Sequence, residues 1–104
     1  MKRVLLSVAL GLGLTALAAP ALADLALATS KNCMSCHAVE RKVLGPSFKD
    51  VAAKYKDDKG AVDTLASKIM KGGSGVWGPV PMPANNQVNE ADAKKLAAWV
   101  LSTK

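Results

Sequence analysis

The chain has 104 residues, a formal net charge of +6, half of its residues apolar and only 4% aromatic. That length leaves room for one small domain. Beyond Lys2 and Arg3 its positive charges are scattered from Lys31 to Lys104 rather than gathered in a stripe with interleaved aromatics, a pattern that argues against nucleic acid and suits acidic protein surfaces.

The first two dozen residues read as a targeting segment rather than as part of the domain. Met1-Lys2-Arg3 is a basic start, Val4 to Ala18 is an apolar run, and Ala21-Leu22-Ala23 offers small residues for cleavage. The alternative is a membrane anchor, but about 15 apolar residues fall short of the roughly 20 needed to cross a bilayer core. Residues 1–23 are therefore expected to be a cleaved secretory signal, with residues 24–104 as the mature domain, exported to the periplasm and not membrane-spanning. Cleavage after Ala19 is disfavoured because it would leave Pro20 at the new terminus. Loss of Lys2 and Arg3 lowers the net charge to +4, so the mature domain remains basic.

The mature sequence reads as helices and turns. A short helix is expected from Leu25 to about Asn32. Pro46 opens a second, on which Phe48, Val51, Ala52 and Tyr55 share one face, and Asp57-Asp58-Lys59-Gly60 ends it. A third carries Val62, Leu65, Ala66, Ile69 and Met70 on one face and stops at Gly72-Gly73. The last is capped by Asn89, has Glu90 and Asp92 in its first turn, and presents Ala93, Leu96, Ala97, Val100 and Leu101. Between Gly72 and Val88 there is no periodicity, and irregular loops of that length tend to be functional or disordered. Pro79, Pro81 and Pro83 argue for order: they hold the segment extended and present Val80 and Met82 between them.

Cys33-Met34-Ser35-Cys36-His37 combines three chemical roles at the spacing they require. Two thiols three positions apart can add to the two vinyl groups of one haem as thioethers, and the adjacent histidine then serves as an axial iron ligand. A haem would also supplement the modest core of so small a domain, which the short loop between two cysteines would do little to stabilise. A thioredoxin-like thiol oxidoreductase is the competing reading, but it expects a βαβ framework, and no strand pattern is visible. A zinc site falls one ligand short.

The second axial ligand decides what the iron does. His37 is the sole histidine, so bis-histidine ligation is excluded. Among the mature methionines, Met34 is locked between the cysteines and Met70 fits a helix face, which leaves Met82 in its proline-rich loop. Histidine plus thioether fills both axial positions and favours ferrous iron, which specifies electron transfer rather than catalysis. Were Met82 not to bind, an open sixth site would make the protein a gas sensor or a peroxidase-like enzyme.

Over nearly its whole mature length the sequence resembles the bacterial cytochrome c-551 (cytochrome c8) family of class I cytochromes c. The resemblance is carried by the cysteine motif, Gly45-Pro46-Ser47-Phe48-Lys49-Asp50-Val51-Ala52, Gly75-Val76-Trp77-Gly78-Pro79-Val80-Pro81-Met82-Pro83, and Leu96-Ala97-Ala98-Trp99-Val100-Leu101. It implies an all-α fold of about four helices around one covalently bound haem c. It also implies that the Pro46 carbonyl orients the histidine ring, that Asn85 steadies the methionine, and that the Trp77 indole bonds a haem propionate. Lys68 stands where the family has an arginine that contacts a propionate, so a bidentate contact would become a single-point one. Trp99 is expected to pack the core. By the same resemblance the protein is a monomeric electron carrier and not an enzyme. Its acceptor would be nitrite reductase or a terminal oxidase, and its donor the cytochrome bc1 complex or a small copper protein.

Overall fold

A computed structural model of the chain describes residues 18–104, and side chains from residue 21 onward. Most of the expected signal segment, residues 1–17, lies outside the described residues. The described residues form four helices, α1 (Ala18–Ser30), α2 (Phe48–Tyr55), α3 (Ala61–Lys71) and α4 (Glu90–Ser102), with one short 3-10 turn at Cys33–Ser35. Among the described residues there is no strand, only two isolated bridges, His37 with Lys42 and Gly73 with Met82.

The ends of α1 and α2 differ from expectation. α1 is described from Ala18 and runs across the Ala23–Asp24 boundary. Alanine and leucine, both strong helix formers, dominate this stretch. The same helix stops at Ser30, because Asn32 takes a left-handed conformation (φ 66°) and Thr29 and Ser30 turn their hydroxyls back onto the Leu25 and Leu27 carbonyls. α2 begins at Phe48 and not at Pro46. Ser47 is the N-cap, its hydroxyl accepting from the Asp50 N–H at 3.0 Å, and Pro46 lies just outside the helix with its carbonyl free for another partner. Asn89 caps α4 as expected, accepting from Asp92 N–H at 2.8 Å.

α4 is the central element and packs on α3, α2 and α1. Its contact face is built from Ala93, Leu96, Ala97 and Val100, all buried, and the two alanines let the neighbouring backbones come close. Phe48 and Val51 from α2, Leu65 and Ala66 from α3, Ala28 from α1 and Val88 complete one core. Trp99 belongs to it as well, its ring meeting Phe48 edge-on at 5.4 Å between centroids. Two long irregular segments, 33–47 and 72–89, are thus hung on a helical frame whose apolar faces are mutually satisfied.

Candidate functional site

Cys33 opens the 3-10 turn directly after left-handed Asn32, and the N–H groups of Cys36 and His37 both donate to the Cys33 carbonyl, at 3.3 and 3.1 Å. This single tight turn puts both thiols and the imidazole on neighbouring positions. Both cysteines are free and half-buried. Burial pushes the Cys33 thiol above its ordinary pKa, with the nearby Cys36 adding to the rise and a hydrogen bond to its own backbone opposing it.

The imidazole of His37 is fixed from three sides. Its Nδ1 lies 2.7 Å from the Pro46 carbonyl, and since a carbonyl only accepts, Nδ1 carries a proton, which leaves Nε2 as the nitrogen that can offer a lone pair. One face stacks on Phe48, with 5.0 Å between centroids and planes 23° apart. Gly45 approaches the same ring so closely that a Cβ there would stand 2.5 Å from Cε1 and 2.9 Å from Nδ1. The backbone holds Gly45 in place, its N–H donating to the Cys36 carbonyl at 2.8 Å, while Phe48 and Lys49 N–H groups donate to Ala38 and Val39. A ring whose Nδ1–H is committed to a carbonyl is oriented to ligate a metal through its other nitrogen.

Met82 lies on the second irregular segment. The segment expected to be extended is also closed on itself. Gly73 and Met82 exchange two backbone hydrogen bonds (3.0 and 2.7 Å) and Gly75 N–H donates to the Gly78 carbonyl at 3.1 Å, so residues 73–82 close on themselves. The composition explains how. Of Pro81-Met82-Pro83 only Met82 has an N–H to donate, and Gly72, at φ 73°, passes so close to the Met82 carbonyl and the Ala84 N–H that a side chain would collide with them. Met82 is half-buried. Met70 packs against the core from α3, and Met34 does so from the cysteine turn.

The remaining expected residues are distributed around these two segments. Asn85 donates from Nδ2 to the Ile69 carbonyl at 2.8 Å, tying the methionine segment to the end of α3. Trp77 is exposed, its indole N–H makes no hydrogen bond among the described residues, and the Lys54 ammonium from α2 sits 5.5 Å above its ring. Lys68 is half-buried in the last turn of α3. Three contributors were not singled out from sequence. Gly45 stood only within a matching segment and Phe48 only as one residue of a helix face; the pairing of Lys31 with Gln87 across 56 positions gave no local signal.

The donor set therefore fits a c-type haem: two adjacent thiols, one imidazole with its far nitrogen free, and a half-buried thioether on a separate, closed loop. The cytochrome c family profile matches residues 25–104, which is most of the chain. The chain belongs to the cytochrome c family. Within it, cytochrome c-552 of Hydrogenobacter thermophilus is 52% identical over the full length of both chains, and cytochrome c-552 of Nitrosomonas europaea is 56% identical over 79% of this chain and 80% of its own. The crystal structure of the Nitrosomonas protein superposes with a TM-score of 0.76, covering 77% of this chain and 99% of that one. The protein is thus a class I bacterial cytochrome c of the c-551 type, all-α, with one covalently bound haem c, and it carries electrons rather than catalysing a reaction. Cytochromes of this kind pass electrons between redox partners. Among the described residues no helix of this cytochrome is long and apolar enough to cross a membrane.

Proposed function

We propose that the mature cytochrome, residues 24–104, is a monomeric periplasmic shuttle of single electrons whose iron is held between His37 and Met82. When bound, the haem would supply one-electron cycling between ferric and ferrous iron. Cys33 and Cys36 would hold it by thioethers, and His37 Nε2 and the Met82 sulfur would ligate its iron. The observation that carries this reading is the closure of the Met82 loop by its paired bonds to Gly73, which holds a thioether in place without help from a helix. Pro46, Gly45 and Phe48 keep the imidazole in one tautomer and one orientation, so that little rearrangement accompanies a change of iron charge. Trp77 and Lys68 are assigned to the haem propionates and Asn85 to the methionine.

Docking is assigned to side chains beside the two segments. Val43 and Leu44 follow the cysteine turn, Val80 precedes Met82, and all three are exposed. Arg41, Lys42, Lys54 and Lys56 have no ion-pair partner among the described residues, so they contribute an unneutralised positive field. A partner with an acidic rim around an apolar patch suits this surface, in keeping with nitrite reductase or a terminal oxidase as acceptor and the cytochrome bc1 complex or a small copper protein as donor. The test is carbon monoxide added to the reduced holoprotein at neutral pH. A spectrum unchanged over minutes supports a closed sixth site, whereas rapid stoichiometric binding would mark an open one and sink the shuttle reading.

A further inference from the structure

Gln87 and Lys31 are joined in both directions. The side-chain Nε2 of Gln87 donates to the Lys31 carbonyl at 3.0 Å and to Asn85 Oδ1 at 3.1 Å, while the backbone carbonyl of Gln87 accepts from Lys31 Nζ at 3.1 Å. Lys31 follows the last residue of α1 and precedes Asn32 and Cys33, and its N–H still bonds back to Leu27 in helical register. The carbonyls at such a helix end lack intrahelical partners, and Gln87 supplies one. The clasp therefore joins the cysteine turn to the methionine loop across 56 positions of sequence.

The second contact has a chemical consequence. An asparagine amide can sit in either of two orientations that differ by exchange of oxygen and nitrogen. Here Oδ1 of Asn85 faces a donor on Gln87 and Nδ2 faces the other way, toward a carbonyl that can only accept, so both partners select one orientation. There it donates one hydrogen to the Ile69 carbonyl at 2.8 Å, and the second has no acceptor nearer than the Pro83 carbonyl at 3.5 Å. That weakly used hydrogen lies on the side of Pro83, the residue next to Met82.

We propose that Gln87 is a positioning residue for the Met82 ligand: by clasping Lys31 and fixing the orientation of Asn85, it sets how readily Met82 gives way to a competing ligand. The proposal rests on Met82 being an axial ligand. Gln87 touches neither the iron nor the thioether, and it acts through Asn85 and through the anchorage of the loop.

The test uses ferric holoprotein at neutral pH with cyanide as competitor, and compares Gln87→Ala, Gln87→Glu and the neighbouring Asn86→Ala. Gln87→Ala is expected to speed displacement roughly 3- to 10-fold, the effect of removing one or two hydrogen bonds of ordinary net strength. Gln87→Glu is expected to exceed it, because a carboxylate has no donor for the Lys31 carbonyl and draws the Asn85 amino group toward itself. Asn86→Ala is expected to match the wild type. Rates within twofold of wild type in both Gln87 variants, with or without a lower melting temperature, would reduce the clasp to structural packing and overturn the proposal; an equal acceleration by Asn86→Ala would do the same. Failure of the underlying ligand assignment reads differently, as a wild-type ferric protein with no sulfur-to-iron charge-transfer band at all.

Discussion

The cysteine segment and the methionine segment are both irregular, yet they are held by different means. Residues 33–49 are laced by backbone hydrogen bonds, Gly45 to Cys36, Phe48 to Ala38 and Lys49 to Val39, and are nailed to the core by Phe48. Residues 72–88 are closed by the Gly73–Met82 pair and by single backbone bonds from Gly75 to Gly78 and from Val88 to Asn85, and are tied to the rest of the fold by Val88 in the core, Asn85 to Ile69, Gln87 to Lys31 and Trp77 under Lys54. Several of these contacts face solvent. Segments with few buried contacts and exposed hydrogen bonds sit at the low end of local stability. The histidine side is therefore as rigid as the fold, and the methionine side can be adjusted one contact at a time.

The largest expected effect removes the link between the two. A Cys33→Ala/Cys36→Ala variant should show no haem-peroxidase stain after denaturing electrophoresis and no cooperative thermal transition, since a domain this small needs the cofactor in its core. A sharp transition in the stain-negative protein would mean the helices suffice. Next, Phe48→Ala should cost about 3–5 kcal/mol in guanidinium unfolding of the holoprotein, because it removes a core ring and the support of His37 together. A cost below about 1 kcal/mol would show that the cysteine segment does not depend on the core.

Glycines in the two segments give a finer comparison. Gly45→Ala drives a methyl group into the His37 ring and should cost about 1–3 kcal/mol. Gly73 has open space where a Cβ would stand, so Gly73→Ala should stay within about 0.5 kcal/mol. Equal costs in parallel denaturation curves would contradict the difference in packing. The smallest effect is expected from Lys54→Ala, which removes the cation above Trp77: about 0.5–1 kcal/mol at most, with faster amide exchange confined to residues 74–80. Exchange accelerated throughout α2 instead would mean that Lys54 supports the helix rather than the loop.

Much of this arrangement was legible in the sequence because its signals are local. The faces of α2, α3 and α4 follow from helical spacing, Asn89 announces its own cap, and Cys33-Met34-Ser35-Cys36-His37 carries its chemistry within five residues. Less legible was whatever depends on the chain returning to itself. Pro46 looks like a helix opener until Ser47 is seen to cap α2, which frees the proline carbonyl for His37. The prolines around Met82 speak for an extended strand of loop, and only the pairing with Gly73 shows it closing. Gln87 resembles any surface glutamine, since nothing within a few residues of it hints at Lys31.

The central claim is that iron sits between His37 and Met82, and the near-infrared spectrum of the oxidised holoprotein tests it most directly. The wild type and Met70→Ala should both show the sulfur-to-iron charge-transfer band, with Met70→Ala losing mainly stability. Met82→Ala should lose the band and lower the reduction potential. A band that survives in Met82→Ala, or disappears in Met70→Ala, would contradict the account.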